Sequence, residues 1–125
     1  MQKTLDPTPA PTGLADTPEP PYYAVIFTSL RTEVEQGYGA TAQRMVELAA
    51  AMPGFLGVES AREDVGITVS YWKDEESIRH WKYQLEHVAA RDKGREQWYS
   101  AYRLRVAKVE RDYGFEQPPR APSKI

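Results

Sequence analysis

The chain contains no cysteine. That excludes a disulfide framework and thiolate metal sites, and it fits the reducing cytoplasm. Histidine is scarce as well: only His80 and His87 occur, too few for a dedicated zinc site. There is little net charge, −2 at pH 7, so no strong field would gather nucleic acid. Lysines and arginines are interspersed with acidic residues and read as a solvated, mixed-sign surface. No apolar run approaches the length of a membrane span or a signal-peptide core. The expectation is a soluble, cytoplasmic protein with neither nucleic acid nor membrane as partner. Its 125 residues suffice for one domain with a modest core.

Proline is abundant but uneven. Pro7, Pro9, Pro11, Pro18 and Pro20 crowd into Met1–Pro21, where they forbid regular helix and sheet pairing. Residues 1–21 are therefore expected to be an arm, 22–115 the folded domain, and 116–125 a polar tail. Two readings of the arm are open. It is mobile or extended, or it wraps a partner subunit, using Leu14 and the approach Pro20-Pro21-Tyr22.

Within 22–115 the hydrophobic period changes repeatedly. Tyr22 to Leu30 reads as a strand with both alternating sets apolar: Tyr23, Val25 and Phe27 against Ala24, Ile26 and Leu30. Ala42, Met45, Val46, Ala49 and Met52 give an amphipathic helix over 40–52, stopped by Pro53-Gly54. Phe55 to Arg62 is a second strand, and Glu63-Asp64-Val65-Gly66 turns the chain into a third, Ile67 to Trp72. Asp74 then caps a second helix, with Glu75 and Glu76 in its first turn. Ile78, Trp81, Leu85 and Val88 form its apolar stripe, and His80 and His87 flank it. The helix is expected to fray around Asp92 to Gly94, with a helical turn through Trp98 and a last strand from Arg103 to Arg111.

Strand, helix, strand, strand, helix, strand is the ferredoxin-like split βαβ order, an α+β fold with two helices on one face of a four-stranded antiparallel sheet. Two helices cover one face only, yet the first strand is apolar on both. The other face needs a cover, either a second copy in a homodimer or the chain's own tails folded back.

The stretch from Gly66 to Tyr99 holds all three tryptophans and both histidines. A strand feeding an aromatic helix with two titratable rings on its edge reads either as the wall of a pocket or as ordinary core with polar edges. The segments Pro53-Gly54-Phe55-Leu56-Gly57-Val58-Glu59-Ser60, Val69-Ser70-Tyr71-Trp72-Lys73-Asp74-Glu75-Glu76-Ser77-Ile78 and Trp81-Lys82 resemble the antibiotic biosynthesis monooxygenase domain over about Tyr22 to Gly114. That resemblance implies a dimeric α+β barrel and an enzyme that oxygenates a phenolic or quinone-like molecule with no cofactor, neither metal nor flavin. Such chemistry needs a base, a holder for the phenolate oxyanion and an apolar wall. The matching roles fall to His87 as base, to Arg91 or Arg95 for the oxyanion, and to Phe27, Tyr71, Trp81 and Trp98 for the wall. Each also has a plain structural account, as core aromatic, helix-edge histidine or surface charge. The alternative function is a dimeric protein that binds a hydrophobic small molecule without turning it over. A haem-degrading branch of the family would place a histidine ten residues after Trp81 and an asparagine on the first strand. Arg91 stands at the former position and the strand has no asparagine.

Overall fold

The structure, a computed structural model, describes residues 13–118, with Leu85 described by its backbone alone. The outer parts of the expected arm and tail, 1–12 and 119–125, lie outside the described residues. The described chain runs β1 (Tyr22–Arg31), α1 (Tyr38–Ala50), β2 (Phe55–Arg62), β3 (Gly66–Trp72), α2 (Glu75–Lys82), α3 (Leu85–Lys93), a π-helical turn (Gly94–Trp98) and β4 (Tyr99–Val109). The strands form one antiparallel sheet in the order β2-β3-β1-β4, the ferredoxin-like arrangement. The expected second helix is two helices, parted at Tyr83 and Gln84.

Register sorts the side chains into two faces. Val25 lies opposite Ser70 and Val106, Phe27 opposite Thr68 and Leu104, and Tyr23 opposite Trp72. This is the helix face. Its core is Val25, Ala49 and the wholly buried Trp72, packed with Met52, Phe55, Ile78 and Trp81. The helices do not reach the far edge: Leu104 and Val106 of β4, on this same face, stay 52% and 47% exposed.

The outer face carries Ala24, Ile26, Tyr71, Val69, Gly57 and Glu59. Here the segment before β1 folds back on the sheet. The Ala15 N–H donates to Glu59 Oε2 at 2.9 Å, while the Tyr71 hydroxyl donates to Oε1 at 2.7 Å. Ala15 can sit this close because residue 57 is glycine; a Cβ there would come within 2.9 Å of the Ala15 methyl. Thr17 bonds the Tyr22 hydroxyl at 2.9 Å, and that hydroxyl is also bonded to Asp112 beyond β4. Part of the tail cover envisaged from the sequence is thus present in a single chain. Ile67 remains exposed.

Two local devices set the helix face. Gly54 has φ +86°, the left-handed region that favours glycine, and turns α1 into β2. Asp74 caps α2 through its carboxylate, accepting the Ser77 N–H at 2.8 Å and the Ser77 hydroxyl at 2.7 Å, which holds the Asp74 carboxyl below its ordinary pKa.

Candidate active site

Four rings run in sequence from the sheet to α3. Phe55 meets Trp72 edge-on at 5.4 Å, Trp72 stacks with Trp81 at 6.1 Å, and Trp81 stacks with His87 at 4.1 Å with only 9° between the planes. The last contact depends on the break between α2 and α3. Gln84 is extended, with φ −64° and ψ 131°, and α3 restarts from it at an angle that brings His87 back over Trp81.

The His87 ring is fixed by a second contact. Its Nδ1 lies 2.8 Å from the Trp81 carbonyl oxygen. A carbonyl only accepts, so Nδ1 carries the proton and the neutral ring keeps its lone pair on Nε2. Nε2 has no partner among the described residues. Burial of the ring pushes the His87 pKa below its ordinary value; the Trp81 carbonyl opposes this and the Arg91 charge adds to it. At neutral pH the group is an unprotonated imidazole with a free accepting nitrogen. Arg91, one turn further along α3, pairs with Asp92 at a long 3.9 Å. Its buried Nε has no hydrogen-bond partner among the described residues.

His80 behaves differently. It is exposed, with Glu76 at 3.8 Å as its ionic neighbour. In one continuous helix the two histidines, seven residues apart, would share a flank; the break separates them.

The other candidate residues divide between places. Phe27 belongs to a second aromatic group, 5.3 Å from Tyr99 and 5.2 Å from Tyr102, and Tyr38 joins Tyr99 to Trp98. Burial and the Tyr38 hydroxyl raise the Tyr99 pKa. The Arg31 guanidinium lies 3.4 Å from the Tyr38 ring centre. Arg95 donates from Nε to the Tyr102 hydroxyl at 2.7 Å, at the edge of this group. Trp98 is buried and donates its indole N–H to the Gln36 carbonyl at 3.1 Å. Tyr71 is not brought to Trp81 at all. It lies on the outer face, edge-on to Tyr22 and bonded to Glu59, and burial raises its pKa.

A groove of about 610 Å³ runs between α1 and α3, lined by Ala40, Met45, Ala89, Ala90 and Trp98 and spanned by the 3.0 Å pair of Arg44 with Glu86. His87 does not line it. Sequence reasoning missed Gln84, the residue that turns α3, and Tyr38 and Tyr99, which join Trp98 to Phe27. Among the described residues no group of three or more His, Asp and Glu gathers in a way that would hold a metal, and no helix is long and apolar enough to cross a membrane.

Three comparisons extend this picture. The sequence pattern of the antibiotic biosynthesis monooxygenase family matches residues 21–93. The uncharacterized protein YqjZ of Bacillus subtilis (strain 168) is 58% identical over 106 residues, covering 83% of this chain and 93% of that protein. SnoaB, a cofactor-independent oxygenase from Streptomyces nogalater, superposes with a TM-score of 0.61 at 12% identity, over 78% of this chain and 100% of that one. A conserved protein from Methanosarcina mazei Go1 gives 0.63 at 13% identity, over 70% and 91%. At such identities the two solved structures bear on the fold alone.

Proposed function

Because the chain belongs to the antibiotic biosynthesis monooxygenase family, we propose that it is a cofactor-independent oxygenase of a phenolic, anthrone-like or hydroquinone-like small molecule, with His87 as its base. The observation that carries this reading is the state of His87. Its Nδ1–H is tied to the Trp81 carbonyl, Nε2 is free to accept, and burial keeps the ring neutral. Nε2 removes the acidic proton of the substrate, and the resulting anion is electron-rich enough to reduce dioxygen directly. For an anthrone, the ring methylene gives up two hydrogens, one oxygen atom of O₂ becomes the new carbonyl, and the other leaves as water. Trp81, stacked between Trp72 and His87, holds the imidazole in place, and the unmet Arg91 Nε–H offers a donor for the substrate oxyanion. Phe27, Trp98 and Arg95 belong to the neighbouring aromatic group and would act on the far end of a larger substrate. Tyr71, on the opposite face of the sheet, enters this reading only through a partner copy. The same reading includes a homodimer that covers the rest of the outer face, where Ile67 is exposed.

The test is oxygen uptake with a panel of anthrones and hydroquinones, comparing wild type with His87→Ala. Uptake that falls by about 10²- to 10⁴-fold in the variant supports a general base. Uptake that is absent from the wild type, or unchanged by the substitution, overturns it. The second reading, a binding protein without turnover, draws on the groove between α1 and α3. Its volume suits a small-molecule ligand and it does not include His87.

A further inference from the structure

We propose that Gln84 is a positioning residue for His87: by capping α3 with its side-chain oxygen it holds open the helix break that aims the Trp81 carbonyl at Nδ1. The proposal rests on the reading of His87 as a base, but its own claim concerns which ring nitrogen bears the proton.

In a continuous helix, residues 81 and 87 would be separated by about 9 Å of rise and well over one turn. The Trp81 carbonyl would point along the helix to the N–H four residues on, and a ring six residues on would not reach it. The two contacts between Trp81 and His87 therefore require the break. At the break, Gln84 performs three tasks. Its N–H closes the end of α2 on the Trp81 carbonyl at 3.1 Å, and its own carbonyl accepts the Val88 N–H at 2.9 Å to start α3. Its side-chain Oε1 accepts the His87 N–H at 2.7 Å, meeting one of the orphan donors of the new helix. The backbone of His87 is thereby held by the same residue whose extended conformation frees the carbonyl for the ring. The second lone pair of that carbonyl takes Nδ1–H, leaving the lone pair of the ring on Nε2.

A cap that only stabilised α3 would change stability and leave the ring's tautomer alone, so the tautomer is the discriminating readout. In ¹⁵N-histidine-labelled protein at pH 8, long-range ¹H–¹⁵N spectra of the imidazole rings distinguish Nδ1–H from Nε2–H. We expect wild-type His87 as Nδ1–H, a shift of population to Nε2–H in Gln84→Ala, and return to Nδ1–H in Gln84→Glu, whose carboxylate accepts the same bond. Exposed His80 is the internal control and keeps its signature throughout. Wild-type His87 found as Nε2–H overturns the proposal, as does Gln84→Ala that retains Nδ1–H. Should Gln84→Ala not fold, Gln84→Met, of similar length without the amide, answers the same question, and the wild-type spectrum still stands as a test. Absence of oxygen uptake would defeat the oxygenase reading without touching this result, whereas Gln84→Ala that retains Nδ1–H would defeat this proposal and leave the oxygenase reading standing.

Discussion

His87 is bound to Trp81 twice, ring on ring at 4.1 Å and ring nitrogen to backbone oxygen at 2.8 Å. The pair fixes both the orientation and the protonation of the imidazole, and several expectations follow from its surroundings.

The first concerns pH and stability. The unfolded chain titrates His87 near its ordinary value, about 6.5. Burial sets the folded value lower. Between the two, the unfolded state binds a proton that the folded state does not. The contribution of neutral His87 is therefore fully present above about pH 6.5 and is lost as pH falls through the folded pKa, below which it levels off. Urea midpoints measured from pH 8 to pH 5 should fall across this window in the wild type. In His87→Gln, which does not titrate, that part of the slope disappears.

A second expectation separates the causes of the shift. The Arg91 charge adds to burial in disfavouring imidazolium. Arg91→Ala should raise the His87 pKa partway toward its ordinary value, read by NMR titration of the ring. A downward movement, or none, would show that the guanidinium does not act on His87.

The core gives the largest predicted loss of stability. Trp72 is wholly buried and contacts both Phe55 and Trp81. Trp72→Ala is expected to cost about 3–5 kcal/mol, read by chemical denaturation, through lost burial and the cavity it leaves. Trp72→Phe, which keeps an aromatic ring, should cost less.

Gly54→Ala tests the turn into β2. The left-handed conformation alone costs a non-glycine residue about 1–2 kcal/mol. The new methyl would in addition lie 2.6 Å from the Ser77 Cβ, against the capped start of α2. A loss larger than the conformational cost alone, measured by denaturation, is the expected result.

The segment on the outer face offers a test that leaves the helix face alone. Glu59 accepts from both Ala15 and Tyr71. Glu59→Ala should free residues 13–17 from the sheet and speed limited proteolysis there, with the far-UV spectrum little changed. Equal cleavage rates would mean that the carboxylate does not hold the segment.

Much of the fold is legible in the chain, because hydrophobic period tracks secondary structure directly. The doubly apolar run from Tyr22 marks the central strand, Pro53-Gly54 marks the end of α1, and β2 spans Phe55–Arg62 as its pattern implies. The break at Gln84 is not legible. No glycine or proline marks it, and glutamine is not among the residues that ordinarily cap a helix. The apolar stripe from Ile78 to Val88 therefore reads straight through it. The early start of β4 at Tyr99 is hidden in the same way, because the π-helical turn hands over to the strand without any breaker. The placing of Tyr71 was within reach: it is the neighbour of Trp72 on a strand, and neighbours on a strand point to opposite faces. What the sequence could not supply is the tautomer of His87, which hangs on a backbone carbonyl six residues away.

The resting place of Ala15 against Gly57 makes the outer face lopsided. Its β2 flank is occupied, while the strip toward β4 lies open. Any flat body that settles there must sit off-centre unless the leading segment first lifts away. A body centred on that surface would have to displace Ala15 from Gly57 and Glu59, so centred attachment there and loosening of residues 13–17 would go together.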